Sequence, residues 1–132
     1  MADASTPFRT WNGVEAWQFA DGVWIHAIGG ERVLLCRVTY EPGKKVPDHD
    51  HPQTEQVMAI IDGEATVTVA GERREVKAGD VIVINPGVRH SVFSESGMTF
   101  FEALAPVPLD HVPDRERDLV LSSDGGSGHV ER

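Results

Sequence analysis

The run "PDHDHPQTEQ", Pro47 to Gln56, sets two histidines, a glutamate and a glutamine within ten residues of a chain that has six histidines in all. Imidazole nitrogens and side-chain oxygens at this density are the donors that a first-row divalent cation takes. Side chains two apart on an extended chain point to the same side, so His49 and His51 face one centre if that segment is extended. Pro47 and Pro52 flank the pair and favour such a conformation. Gln56 opens a strand that ends at Ile61. If Gln56 points inward, Met58 and Ile60 do too, which puts a polar ligand above an apolar floor. Glu55 then points to the other face, and a bulge at the strand entry would reverse that choice. The third imidazole comes from His90, which follows "NPGVR" and starts a strand with Val92 on its own face. Three nitrogens and one oxygen around an ion with one or two open positions is the pattern of a catalytic metal site, since structural sites are closed.

Glu102 shares a strand face with Met98, Phe100 and Leu104, which reads inward. Burial favours the protonated carboxyl, so Glu102 there would serve as general acid or base; the alternative is a carboxylate at the barrel rim paired with Arg37. His26 shares a face with Trp24 and Ile28. It is either a fourth imidazole lining the interior, able to move a proton, or a histidine at the sheet surface. Arg37 and Tyr40 lie on opposite faces of one strand and cannot both line a pocket. His111 in "PLDHVPD" either closes over the barrel mouth or sits solvated in a loop, His129 carries no role, and "RERD" (Arg115–Asp118) is a solvated charged face. Cys36, the single cysteine, lies in the apolar run "VLLCRV". It reads as a small core residue, because nothing near it would lower a thiol pKa.

The elements that must position these side chains read as strands. Val23–Ile28 and Arg32–Tyr40 are rich in β-branched and aromatic residues around the turn "GGE". "VMAIIDGEATVTVAGERREV" predicts two strands joined at Asp62–Gly63, a strong hairpin dipeptide, and a second turn at Ala70–Gly71. Ala65, Val67 and Val69 alternate cleanly with Thr66 and Thr68. "VIVI" (Val81–Ile84) is apolar on both faces and is expected to be buried on both; "HSVF" and "MTFFEALAP" complete the set. About eight short strands between turns predict an all-β chain, an antiparallel barrel or jelly roll. The 132 residues suit one domain, with a segment at 1–22 packing on the barrel or on a partner, the barrel at 23–112, and an extension at 113–132. That extension ends in "SSDGGSGHVER", of unstructured composition. A net charge of −9 and no basic stripe argue against nucleic acid as a partner. No apolar run approaches the roughly 20 residues that span a bilayer, and the polar "MADASTPFRT" has no signal-peptide core. Together with the lone cysteine this makes cytoplasmic residence the expectation. Exposed apolar edge strands and Phe8, Trp11, Trp17 and Phe19 suggest a homodimer.

Gly43, His49, His51, Gln56 and Gly63 resemble the first motif of the cupin superfamily: glycine, five residues, His-x-His, a short gap, Glu or Gln, six residues, glycine. The six-residue gap fits Gln56; counted from Glu55 it becomes seven. Gly79, "NPG" and His90 resemble the second motif, with Asn85 where the family usually has proline and Ser94 where it has asparagine. The resemblance covers about Val33 to Ala105. It implies a single-domain cupin β-barrel in which His49, His51, Gln56 and His90 bind one divalent metal, zinc foremost, with iron, nickel or manganese as alternatives. Glutamine in place of the usual glutamate leaves the ion more electrophilic. The implied activity is Lewis-acid and proton-transfer chemistry on a small carbonyl compound, as in cupin polyketide cyclases or the small pectin-breakdown cupins. An Fe(II) dioxygenase and a non-catalytic sugar- or metabolite-binding module are the competing uses. The expected substrate pocket, Met58, Ile60, Val67, Val92, Phe100 and Leu104, is apolar and suits an aromatic product better than a sugar.

Overall fold

The computed structural model describes residues 6–108 together with 119–121 and 127–129. Nine strands form one antiparallel, nearly closed barrel: β1 Trp17–Ala20, β2 Val23–Gly29, β3 Leu34–Tyr40, β4 Lys44–His49, β5 Glu55–Val69, β6 Glu72–Lys77, β7 Val81–Ile84, β8 His90–Ser94 and β9 Met98–Ala105. The hydrogen-bonded path runs β1-β2-β3-β9-β5-β8-β4, with β6 and β7 also paired to β5. Beyond the barrel, β10 (Leu119–Leu121) pairs with β11 (Ser127–His129) inside the 113–132 extension. Residues 109–118, which include His111 and Arg115–Asp118, lie outside the described residues. No helix among those described is long and apolar enough to cross a membrane.

Alternation of buried and exposed side chains gives each strand an inner face. Along β9, Met98, Phe100, Glu102 and Leu104 are buried while the residues between them are half-buried. Cys36 and Val38 on β3, Val23 and Ile25 on β2, and Val67 and Val92 on the opposite wall fill the same core. This is the two-residue period that a pleated strand imposes.

Asp62–Gly63 is not a hairpin. β5 runs unbroken through it and changes partners there: Glu55–Gly63 pairs with β9, and Glu64–Val69 pairs with β6. A register shift between Ile60 and Asp62, with Gly63 at φ +85°, bends the strand from one wall of the barrel to the other. The same backbone freedom that suits glycine to a tight turn serves a strand corner here. A Cβ on Gly63 would lie 2.3 Å from the Gly97 carbonyl oxygen and 2.7 Å from the Met98 Cα, so the corner is also a close backbone crossing. The hairpin is at Ala70–Gly71, both at positive φ (50° and 83°), as a type I′ turn requires.

Val81–Ile84 also departs from expectation. Only Ile84 is buried; Val81 and Val83 are 61% and 55% exposed. β7 pairs with β5 along one side only, and no described element covers its outer face. At the N-terminus, β1 adds to the chain's own sheet through β2, Trp11 stacks on Phe101 with ring centroids 6.0 Å apart, and the Arg37 guanidinium sits 5.5 Å over the Trp11 ring.

Candidate metal centre

Two neighbouring strand ends bring the imidazoles together. His49 closes β4 and His90 opens β8, and the two are direct cross-strand partners. His51 lies in the loop beyond β4, where its carbonyl accepts the amide protons of Gly87 and Thr54, tying that loop to the turn before His90. Ring centroids are 4.2 Å apart for His49 and His90, 5.1 Å for His49 and His51, and 5.4 Å for His51 and His90. One ring nitrogen from each lies within 4.8 Å of the others, so the three could hold one ion.

The protonation of two rings is set by their neighbours. His49 Nδ1 lies 2.7 Å from the Pro47 carbonyl oxygen, and His90 Nδ1 lies 2.9 Å from that of Val88. A carbonyl can only accept, so each Nδ1 carries a proton, and in the neutral ring Nε2 keeps its lone pair. Backbone contacts of this kind orient imidazole ligands in metalloproteins. His90 Nε2 is buried without a hydrogen-bond partner. Burial pushes the His90 pKa below its usual value, and nearby His49 and His51 push it the same way, against the Val88 carbonyl and the Glu102 carboxylate. The ring therefore stays neutral, the form that binds a cation.

Gln56 points inward and is buried, while Glu55 is exposed. In register, Gln56 lies beside Leu104 and Met58 beside Glu102, so the Glu102 side chain is a diagonal neighbour of Gln56 on the inner face. Gln56 Nε2 donates to Glu102 Oε1 at 2.5 Å. That contact decides which end of the amide is which. Gln56 Oε1 is left buried with no hydrogen-bond partner. Such an oxygen pays the desolvation cost of an unmade bond unless a cation or ligand satisfies it. The orphaned Gln56 Oε1 and His90 Nε2, with His49 and His51 beside them, fit a cation bound by three nitrogens and an amide oxygen.

All four residues line one cavity of about 30 Å³, the space of roughly a single water. Its walls are apolar, from Phe19, Val23, Ile25, Val38, Val46, Met58, Val92 and Phe100, and its other polar members are Tyr40 and Glu102; neither lysine nor arginine contributes. Of the expected pocket residues, Met58, Val92 and Phe100 line the cavity, whereas Ile60, Val67 and Leu104 are buried elsewhere in the core. His26 does not reach it. Ile25 and Ala27 take the inner face of β2, which puts His26 on the outer face opposite Arg37. Burial and that guanidinium lower its pKa. Glu102 meets Gln56, and Arg37 lies on the outer face of the sheet. Arg89 is held outside the cavity by Asp48 and Asp50, at 2.7 and 3.3 Å. A wider cleft of about 360 Å³, bounded by Pro52, Thr54, Pro106 and Val107, shares His51 with the inner cavity. The sequence placed Phe19 only among N-terminal aromatics packing on the barrel or a partner, and gave Tyr40 no role. The usable signal for Tyr40 was its parity with Cys36 and Val38 on β3.

Residues 36–102 match the family model of the cupin domain. The chain belongs to the cupin family. A curated relative, the tetracenomycin polyketide synthase protein TcmJ of Streptomyces glaucescens, is 26% identical over 92 residues, covering 65% of this cupin. The match spans only 62% of the Streptomyces protein's own length. Among solved structures, an RmlC-like cupin from Shewanella frigidimarina superposes with a TM-score of 0.75 at 23% identity, covering 82% of this chain and 97% of that one. KdgF from a Halomonas species superposes at 0.72 and 19% identity, covering 82% and 100%. At these identities the two structures establish a shared fold.

Proposed function

We propose that this cupin is a metal-dependent enzyme that enolises a small carbonyl substrate, with ring closure of a polyketide-type chain as the best-fitting use and isomerase or lyase chemistry as the nearest relative of it. The observation that carries the reading is the Gln56–Glu102 contact, which leaves Gln56 Oε1 buried without a partner while Gln56 lines the same cavity as the three histidines. When bound there, a divalent cation supplies Lewis acidity to a carbonyl oxygen, and an all-neutral donor set leaves that acidity high. Zinc is the proposed ion. Glu102 is the group placed to accept the α-proton, and its second oxygen serves while the first holds Gln56. Val92, Met58 and Phe100 exclude water from the reacting atoms. The cavity admits only the reacting end of a molecule, so a larger substrate would rest its remainder in the cleft beside His51. The absence of lysine and arginine from the cavity wall disfavours a uronate, whose carboxylate wants such a partner. The likeness to a polyketide synthase protein supports the same choice.

The proposal includes a homodimer. Leu35, Ala103, Val57 and Val83 lie side by side across β3, β9, β5 and β7 on the outer face, an apolar row ending on the unpaired edge of β7. Solution mass tests it, with Val83→Lys expected to give monomer.

The zinc-loaded protein should exchange the α-protons of simple ketones with deuterium from solvent, and Glu102→Gln should lose that exchange. Oxygen consumption by the iron-loaded protein, without ketone exchange, would replace this reading with a dioxygenase. Tight sugar binding with neither activity would replace it with a binding module.

A further inference from the structure

Tyr40 ends β3 on its inner face and is 4% exposed, and its side chain lines the cavity that holds the histidines. Its ring packs against Phe100 at 5.9 Å. The same cavity lining includes the apolar side chains of Val23, Ile25, Val38 and Val46 and, as hydrogen-bond acceptors, the histidines, Gln56 and Glu102. The hydroxyl makes no hydrogen bond with any described residue, so what it can meet is the content of the cavity. A tyrosine carries a polar hydroxyl on an apolar body, and one whose ring is buried while it lines a cavity is placed to bond what enters there. Burial, reinforced by the Glu102 carboxylate, drives the Tyr40 pKa far above its ordinary value. The hydroxyl is therefore a permanent donor at any working pH.

We propose that Tyr40 is a substrate-anchoring donor: its hydroxyl donates a hydrogen bond to a second oxygen of a ligand whose first oxygen occupies the histidine centre, which makes the site selective for small keto-carbonyl compounds over their mono-oxygenated counterparts. This rests on the metal-dependent reading above. In chemical terms, the enolate of a 1,3-dicarbonyl compound spreads its negative charge over two oxygens. The cavity would offer one electrophilic position at the histidines and a second donor at Tyr40, and most of its other lining residues are apolar. No proton leaves Tyr40; it stabilises charge and sets the orientation of the chain.

The test is binding of two ligand pairs, butyrate against acetoacetate and valerate against levulinate, to the cobalt-loaded full chain and its Tyr40→Phe variant, read by the visible spectrum of the cobalt. Each pair shares the carboxylate that can reach the metal and differs by one keto oxygen. Wild-type protein should bind at least one keto member about 3- to 10-fold more tightly than its counterpart, the worth of one hydrogen bond, and Tyr40→Phe should erase that preference. The variant should keep full cobalt stoichiometry and an unchanged or higher melting temperature, because it removes a hydroxyl that has no protein partner. A variant that melts lower would show the hydroxyl to be structural and overturn the inference. Equal preferences in the two cobalt-replete proteins would overturn it while leaving the metal site intact. Failure of both proteins to take up cobalt would remove the metal-dependent reading, and this inference with it.

Discussion

Replacing Glu102 by leucine probes the one contact on which the donor set depends. Glu102 and Gln56 are 3% and 5% exposed, so bulk solvent does not stand in for either partner. Removing the carboxylate leaves Gln56 Nε2 as a buried donor with nothing to bond, a cost of about 1–3 kcal/mol. The amide can escape that cost by rotating, which would turn its NH₂ group toward the imidazoles and cancel the fourth donor. Loss of an oriented supporting contact weakens metal binding by about 10- to 100-fold, or about 1.4–2.8 kcal/mol, the same range reached from the hydrogen-bond side. Glu102→Gln keeps an acceptor and loses only charge assistance, so its penalty should be smaller, below about tenfold. Competition against a chromophoric chelator gives the affinities, and the double variant with Gln56→Leu supplies the coupling. If Glu102 acts through Gln56, the double variant should be little worse than Gln56→Leu alone. Strict additivity, or a Glu102→Leu protein that binds metal as tightly as wild type, would refute the reasoning.

Gly63→Ala should destabilise the fold by about 2–4 kcal/mol, combining left-handed strain with overpacking against Gly97 and Met98; Gly71→Ala, whose Cβ would meet nothing within 4 Å, should cost less, and denaturant midpoints compare the two. His90 has a folded-state pKa below its unfolded value of 6.5, so between the two values the unfolded chain binds a proton that the folded chain does not. The His90 contribution to metal-free stability is therefore complete above about pH 6.5 and is lost as the pH falls below it, a slope that His90→Gln should reduce in unfolding measured across a pH series.

Much of this site was legible in the chain. Pro47–Gln56 and His90 carry donor types that are rare elsewhere in the sequence, and strand parity points Gln56 inward and Glu55 outward without any structure. Glu102 was legible as inward-facing for the same reason, yet its bond to Gln56 depends on β9 lying beside β5 in one particular register, which no local pattern encodes. Parity failed for His26 because β2 is apolar at every position from Val23 to Ile28 except this histidine. Asp62–Gly63 misled because a strand corner and a type I′ turn ask the same of a backbone, and only the partners on either side tell them apart. Val81–Ile84 has the composition of a buried strand; its exposed face is visible only once β7 is known to pair along one edge.

The most direct test of the central claim is the metal content of the protein purified without added metal, by elemental mass spectrometry, beside a His51→Ala control. The account predicts about one zinc per chain, lost in the control, as expected for an ion held by three imidazoles and an amide oxygen. Absence of metal from the wild-type protein, or equal metal in the two, would contradict it.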